Sequence, residues 1–129
     1  HEYIYAATYS AGSGAPAIKV LRGAIDRGIK VTCVVDNHHR PEAIDILRNE
    51  LGGARLLGLV KGATQFAPMM HAKFIVVDGH STFLTSANFS NIAVDKSLEV
   101  GLFVHNSFVA HQFKRRIEDL LDDGLLESI

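Results

Sequence analysis

Apolar residues along the chain recur with two periods, and the period changes often. Residues 3–9 form a strand-like run rich in aromatic side chains. Ile18, Leu21 and Ile25 then recur at helical spacing, with Pro16 suited to the first turn and Gly28 to the end. The β-branched run over 30–35 reads as a buried strand. A second helix is predicted from Pro41 through Ile44, Leu47 and Leu51, stopping at Gly52-Gly53. Residues 55–59 predict a third strand, and residues 61–70 a loop containing Gly62 and Pro68. Three more strands are predicted over 74–77, 82–85 and 98–104, with Asp78-Gly79 as a hairpin turn between the first two. The last helix, 107–121, carries Val109, Phe113, Ile117, Leu120 and Leu121 on one face and ends at Asp122-Asp123-Gly124. Strands interleaved with helices predict an α/β fold, a layered α/β/α sandwich around a mixed sheet.

The 129 residues, 47% of them hydrophobic, suffice for one ordinary core, so a single domain over 1–129 is expected. The chain opens inside a predicted strand, which suggests a domain trimmed at its N-terminus. No apolar run approaches the length of a membrane span, and no signal-peptide pattern precedes the first strand. One cysteine, Cys33, lies in an apolar strand and is expected to be a buried core residue; a reducing cytoplasmic location fits it. Lys and Arg total 13 against 14 Asp and Glu, so bulk charge does not favour non-specific nucleic-acid binding, and any such binding needs a local basic patch.

Three short segments carry candidate chemistry. In the first, His71-Ala72-Lys73 leads into an apolar strand that ends at Asp78. Alternation along a strand puts His71 and Lys73 on one side, an imidazole beside an ammonium, which is costly in a core and useful at a phosphate. A neutral imidazole can attack phosphorus. The second is Thr85-Ser86-Ala87-Asn88, where the Ser86 hydroxyl and Asn88 amide can donate to phosphate oxygens without adding a competing base. The third is Leu98-Glu99-Val100, a lone carboxylate in a predicted apolar strand, for which a histidine ring nitrogen is a suitable partner. Asp78 opens a tight turn, where aspartate is also favoured for local reasons, and is expected to support the site from behind. His38-His39-Arg40 follows a strand end and is a weaker candidate for contact with a phosphate. No cluster at metal-ligand spacing stands out.

These segments, in this order, resemble the phospholipase D superfamily: His-x-Lys, four residues and Asp; then Ser-x-Asn; then a glutamate. Thr85 stands where that family commonly has glycine. The approach Arg27-Gly28-Ile29-Lys30-Val31 into Val34-Val35-Asp36 extends the likeness over nearly the whole chain. The resemblance implies a half-site fold and a two-step phosphodiesterase mechanism without metal or cofactor. His71 is the implied nucleophile, with Lys73, Ser86 and Asn88 on the phosphate and Asp78 and Glu99 as catalytic support. Such chemistry uses two His-Lys units. His1, His38, His39, His80, His105 and His111 all lack a lysine two residues on, so a symmetric homodimer is expected to complete the site; a missing N-terminal half is the other possibility.

Fold alone does not choose among nucleases, lipases and lipid synthases. The small single-motif domain and the lack of a membrane anchor favour a nuclease. The wording from Leu84 to Ser90 is also similar to phospholipase D-like proteins of bacterial restriction and phage-defence systems. A phospholipase or phosphatidyltransferase is the alternative enzyme reading, and a silent nucleic-acid-binding module of a defence complex is the non-enzyme one. Phe66, Pro68, Met69 and Met70 are expected to form an apolar lip rather than a membrane anchor.

Overall fold

The computed structural model describes residues 3–61, 69–91 and 97–129. The expected loop over 61–70 lies mostly outside them. Among the described residues, seven strands form one mixed sheet: β1 (Tyr3–Thr8), β2 (Lys30–Val35), β3 (Arg55–Leu59), β4 (Phe74–Val77), β5 (Ser81–Thr85), β6 (Gly101–His105) and β7 (Leu126–Ser128). Their order across the sheet is β6-β5-β4-β1-β2-β3-β7. The β1–β2 and β2–β3 pairs are parallel and the rest antiparallel.

The helices α1 (Pro16–Asp26) and α2 (Pro41–Glu50) are the crossovers of the two parallel pairs. Both crossovers step the same way along the sheet, so the usual right-handed connection puts both helices on one face. There Ile18, Leu21, Ala24, Ala43 and Leu47 bury against Ile4, Ala6, Val31, Cys33 and Val35. The third helix, α3 (Ser107–Asp122), covers the other face, with Ala110 and Ile117 on Ala7, Val34, Leu57, Phe74 and Val76. Its first turn is capped by Asn106 Oδ1, which accepts from Val109 N–H at 3.1 Å. The central strands are therefore covered on both sides, which explains the buried run Cys33-Val34-Val35 that closes β2.

The Asp78-Gly79 turn forms as its residue types dictate. Both positions have positive φ, 49° and 69°, and His80 N–H closes onto Val77 O at 3.2 Å. Two boundaries differ from the sequence pattern. The strand expected over 98–104 begins only at Gly101, which pairs with Thr85 at the end of β5; Val100, just ahead of it, bonds to Ser86 in the turn that follows β5. The three-residue β7 has a single buried residue, Leu126, too little to leave a period in the sequence.

Candidate active site

The site residues gather at one end of the sheet, where β1, β2 and β5 finish and β4 and β6 begin. Thr8 stands opposite Val35, Ala7 opposite Phe74, and Thr85 N–H reaches Lys73 O at 3.1 Å. The segments following β1, β2 and β5 thus meet those preceding β4 and β6.

His71 is exposed, whereas Lys73 is buried to 8% exposure. The Lys73 ammonium donates to His71 O at 2.8 Å and lies 3.3 Å from His71 Nδ1. An ammonium has no lone pair, so Nδ1 is the acceptor in that contact. Burial pushes the Lys73 ammonium below the ordinary lysine range, and the negative charge of Glu99 opposes it. His71, Lys73 and Ser86 line one open groove of about 580 Å³, among Phe74, Leu84, Val100 and Leu102.

Ser86 ties the next segment down. Its hydroxyl donates to Glu99 Oε2 and accepts from Val100 N–H at 3.0 Å, while its own N–H donates to Val100 O at 3.0 Å. The Ser86 hydroxyl has two acceptors within reach, Glu99 Oε2 and Val100 O at 3.3 Å, and both tie it to the segment ahead of β6. Glu99 lies ahead of β6 and not within a strand; it is exposed and accepts from the Ser86 hydroxyl. Thr85, in the position common to glycine, accepts from Ala87 N–H through Oγ1 at 2.9 Å and so stabilises the turn that follows. Asn88 Oδ1 accepts from Ser10 N–H at 3.2 Å, which leaves its amide NH₂ as the group able to donate outward.

Asp78 is not brought to this cluster. With the four residues of β4 between them, five residue steps separate it from Lys73, a span of roughly 16 Å at ~3.3 Å per residue. Its Oδ1 accepts from Tyr3 N–H at 3.0 Å and its own N–H donates to Tyr3 O at 3.1 Å, fastening the start of β1.

Two neighbours of His71 went unrecognised in the sequence. The Tyr9 ring lies 4.7 Å from the His71 ring, centre to centre. Asp36, at the end of β2, is fully buried and accepts four hydrogen bonds: His38 N–H at 3.0 Å, His39 N–H, the His39 ring at 3.2 Å, and Met70 N–H at 3.0 Å. Burial alone would push its carboxyl up; the bonds from His39, Met70 and His38 outweigh that and hold it below its ordinary value. One carboxylate therefore joins the loop after β2 to the residue preceding His71. The only advance signal was an aspartate closing an apolar strand at the sheet's carboxyl end. Among the described residues no group of three or more His, Cys, Asp or Glu could hold a metal ion.

Comparison with known proteins places this geometry. A family model described as "Cardiolipin synthase, PLD-like domain" matches residues 1–121. Among solved structures, Nuc of Salmonella typhimurium, a phospholipase D family member, aligns with TM-score 0.77 at 25% identity over 99% of this chain and 82% of its own. NucT of Helicobacter pylori aligns with TM-score 0.78 at 23% identity, over 95% of this chain and 80% of that one. Phosphatidylserine synthase of Haemophilus influenzae shares the fold with TM-score 0.73 at 15% identity, over 100% of this chain and 34% of its own. No curated protein matches at the sequence level.

Proposed function

The chain belongs to the phospholipase D superfamily, and from that premise we propose that it is a metal-independent nuclease, working as a homodimer through a phosphohistidine at His71. The observation that carries the reading is the exposed His71 imidazole in an open groove, with a desolvated Lys73 ammonium 3.3 Å from its ring. A cation held out of water attracts a phosphate more strongly than a solvated one. A bound phosphodiester would draw the Lys73 donor onto its oxygens and release the ring.

The reaction balances with two copies of the site. A ring nitrogen of one His71 forms a bond to phosphorus as the bond to the leaving oxygen breaks, and the partner's His71 donates the proton that oxygen takes up. Water then attacks phosphorus, giving a proton back to the partner's His71, as the P–N bond breaks and frees the His71 imidazole. The Asn88 amide and Lys73 stabilise the charge that develops on the phosphate oxygens. Glu99, held by Ser86, is presented at the surface where it can steady an imidazole of the opposite protomer.

Pairing through the edge strand is supported by its exposed apolar side chains. Leu98, Val100, Leu102 and Phe103 all stand in solvent, Leu102 at 60% and Phe103 at 58% exposure, and Val100 and Leu102 also line the His71 groove. Among the described residues β6 is an edge of the sheet, and exposed apolar side chains on an edge strand offer a surface that seeks a partner. Nucleic acid is the favoured substrate because the matched structure with the highest identity mentioned above is named Nuc and spans little more than this domain. No helix among the described residues is long and apolar enough to cross a membrane. A restriction or phage-defence setting would suit such an enzyme.

Turnover of bis-p-nitrophenyl phosphate in EDTA, followed by single-stranded DNA, double-stranded DNA, RNA and phosphatidylcholine vesicles, tests the assignment. Metal-free cleavage of a nucleic acid, lost in His71→Asn, is expected. Cleavage of phosphatidylcholine alone would transfer the enzyme to the lipid branch. No turnover on any substrate would leave a binding module.

A further inference from the structure

Beside His71 a second set of side chains is organised around one ring. The guanidinium of Arg40 lies 5.5 Å from the centre of the Tyr9 ring, and the Lys73 ammonium lies 5.9 Å from the same centre. Tyr9 also contacts the His71 ring. A single aromatic side chain therefore relates the nucleophile, its neighbouring lysine and a second cation.

The loop that delivers Arg40 is held by each of the four residues before it. Asp36 fastens His38, His39 and Met70. Asn37 brackets Leu59, donating from Nδ2 to its O at 3.1 Å and accepting from its N–H at 3.0 Å. The bracket depends on Gly58, where a Cβ would lie 2.6 Å from the Asn37 side chain. His38 Nε2 bonds to Leu59 O at 2.9 Å, and the His39 ring returns to Asp36. Arg40 comes next, with its side chain 49% exposed and only a loose ion pair to Glu42 at 3.8 Å, which does little to neutralise it in water.

The geometry points to a second anion-binding subsite, formed by Arg40 on Tyr9, that takes the phosphate flanking the scissile one in a nucleic acid strand. The inference rests on the nuclease reading and specifies how that site grips its substrate. Arginine suits the task because its planar guanidinium can donate two parallel bonds to one phosphate. The rigid loop lowers the ordering cost of forming them. A near-neutral chain thereby acquires the local positive patch that its overall composition lacks.

The test compares Arg40→Gln with the unaltered dimer on two substrates: bis-p-nitrophenyl phosphate, which has one diester and no flanking phosphate, and a short single-stranded oligonucleotide. The ratio of kcat/KM for oligonucleotide over the small diester is expected to fall about tenfold, the worth of one charge-assisted contact. The slope of log KM against log salt should shrink by about 0.7, as for one phosphate contact on a single strand. Arg40→Lys, which keeps the charge without the fork, should recover the salt slope and only part of the ratio. An unchanged ratio in Arg40→Gln, with the oligonucleotide cleaved normally, overturns the subsite and leaves the nuclease reading standing. Loss of both substrates to the same degree also overturns it, by placing Arg40 at the scissile phosphate. If the unaltered protein turns over the small diester or phosphatidylcholine vesicles but no nucleic acid, the nuclease reading fails and the subsite with it.

Discussion

Replacing Asp36 by alanine is predicted to destabilise the fold by about 2–4 kcal/mol, at ~1–3 kcal/mol for each buried donor left without a partner. Four donors converge on this carboxylate: three backbone N–H groups and the His39 ring. His39 is exposed and its two groups can find water, whereas Met70 is buried and its N–H is stranded. The sum thus falls well short of four full penalties. For a domain of this length the loss corresponds to a fall in Tm of roughly 8–15 °C. Urea unfolding followed by circular dichroism would measure it, with Asp45→Ala on the exposed side of α2 as a control expected within about 0.5 kcal/mol of the parent. Acid titration supplies a second reading with a definite sign. Because the folded carboxyl sits below its ordinary value of 3.8, its stabilisation is present above that pH and is lost as pH falls through the folded value. The gap between parent and variant should therefore narrow below about pH 3.8. A loss smaller than about 0.5 kcal/mol at neutral pH, or a gap that widens in acid, would refute the assignment of Asp36 as the tie between the two loops.

Three further outcomes follow. Burial pushes the Cys33 thiol up to about 12, so it should resist a thiol reagent in the native protein and react fully once the chain is unfolded. Lys73→Met should abolish turnover while leaving Tm equal or higher. The depressed ammonium costs stability at every pH below its folded value, neutral pH included, and thermal denaturation beside the diester assay checks both halves. Phe103→Glu, on the edge strand but outside the groove lining, should yield a folded monomer by sedimentation, with diester turnover lost because each groove then lacks its second imidazole; an active monomer would remove the need for pairing.

Much of the fold was legible because its helices and central strands obey simple periods. Ile18, Leu21 and Leu47 sit where helical spacing puts them, and the turn at Asp78-Gly79 follows from two residues that tolerate positive φ. The end of the sheet was harder to read. Glu99 looked like part of a strand because Leu98, Val100 and Leu102 alternate around it, yet those side chains face solvent, and periodicity cannot tell a buried face from one awaiting a partner. Ser86 reads in the sequence as a phosphate donor from its hydroxyl alone; the coordinates add its ties to Glu99 and Val100. Asp36 reaches Met70 and Tyr9 reaches His71 across more than thirty positions, so no local pattern announces either link.

Catalysis by this site requires that His71 become covalently bonded to phosphorus. Rapid quenching into alkali during turnover of bis-p-nitrophenyl phosphate, followed by peptide mass spectrometry, measures this directly. A p-nitrophenylphosphoryl adduct, which keeps the second ester group after one nitrophenolate has left, is expected on the peptide containing His71 and absent from His71→Asn. Steady turnover with that peptide unmodified, or an adduct on another side chain, would contradict it.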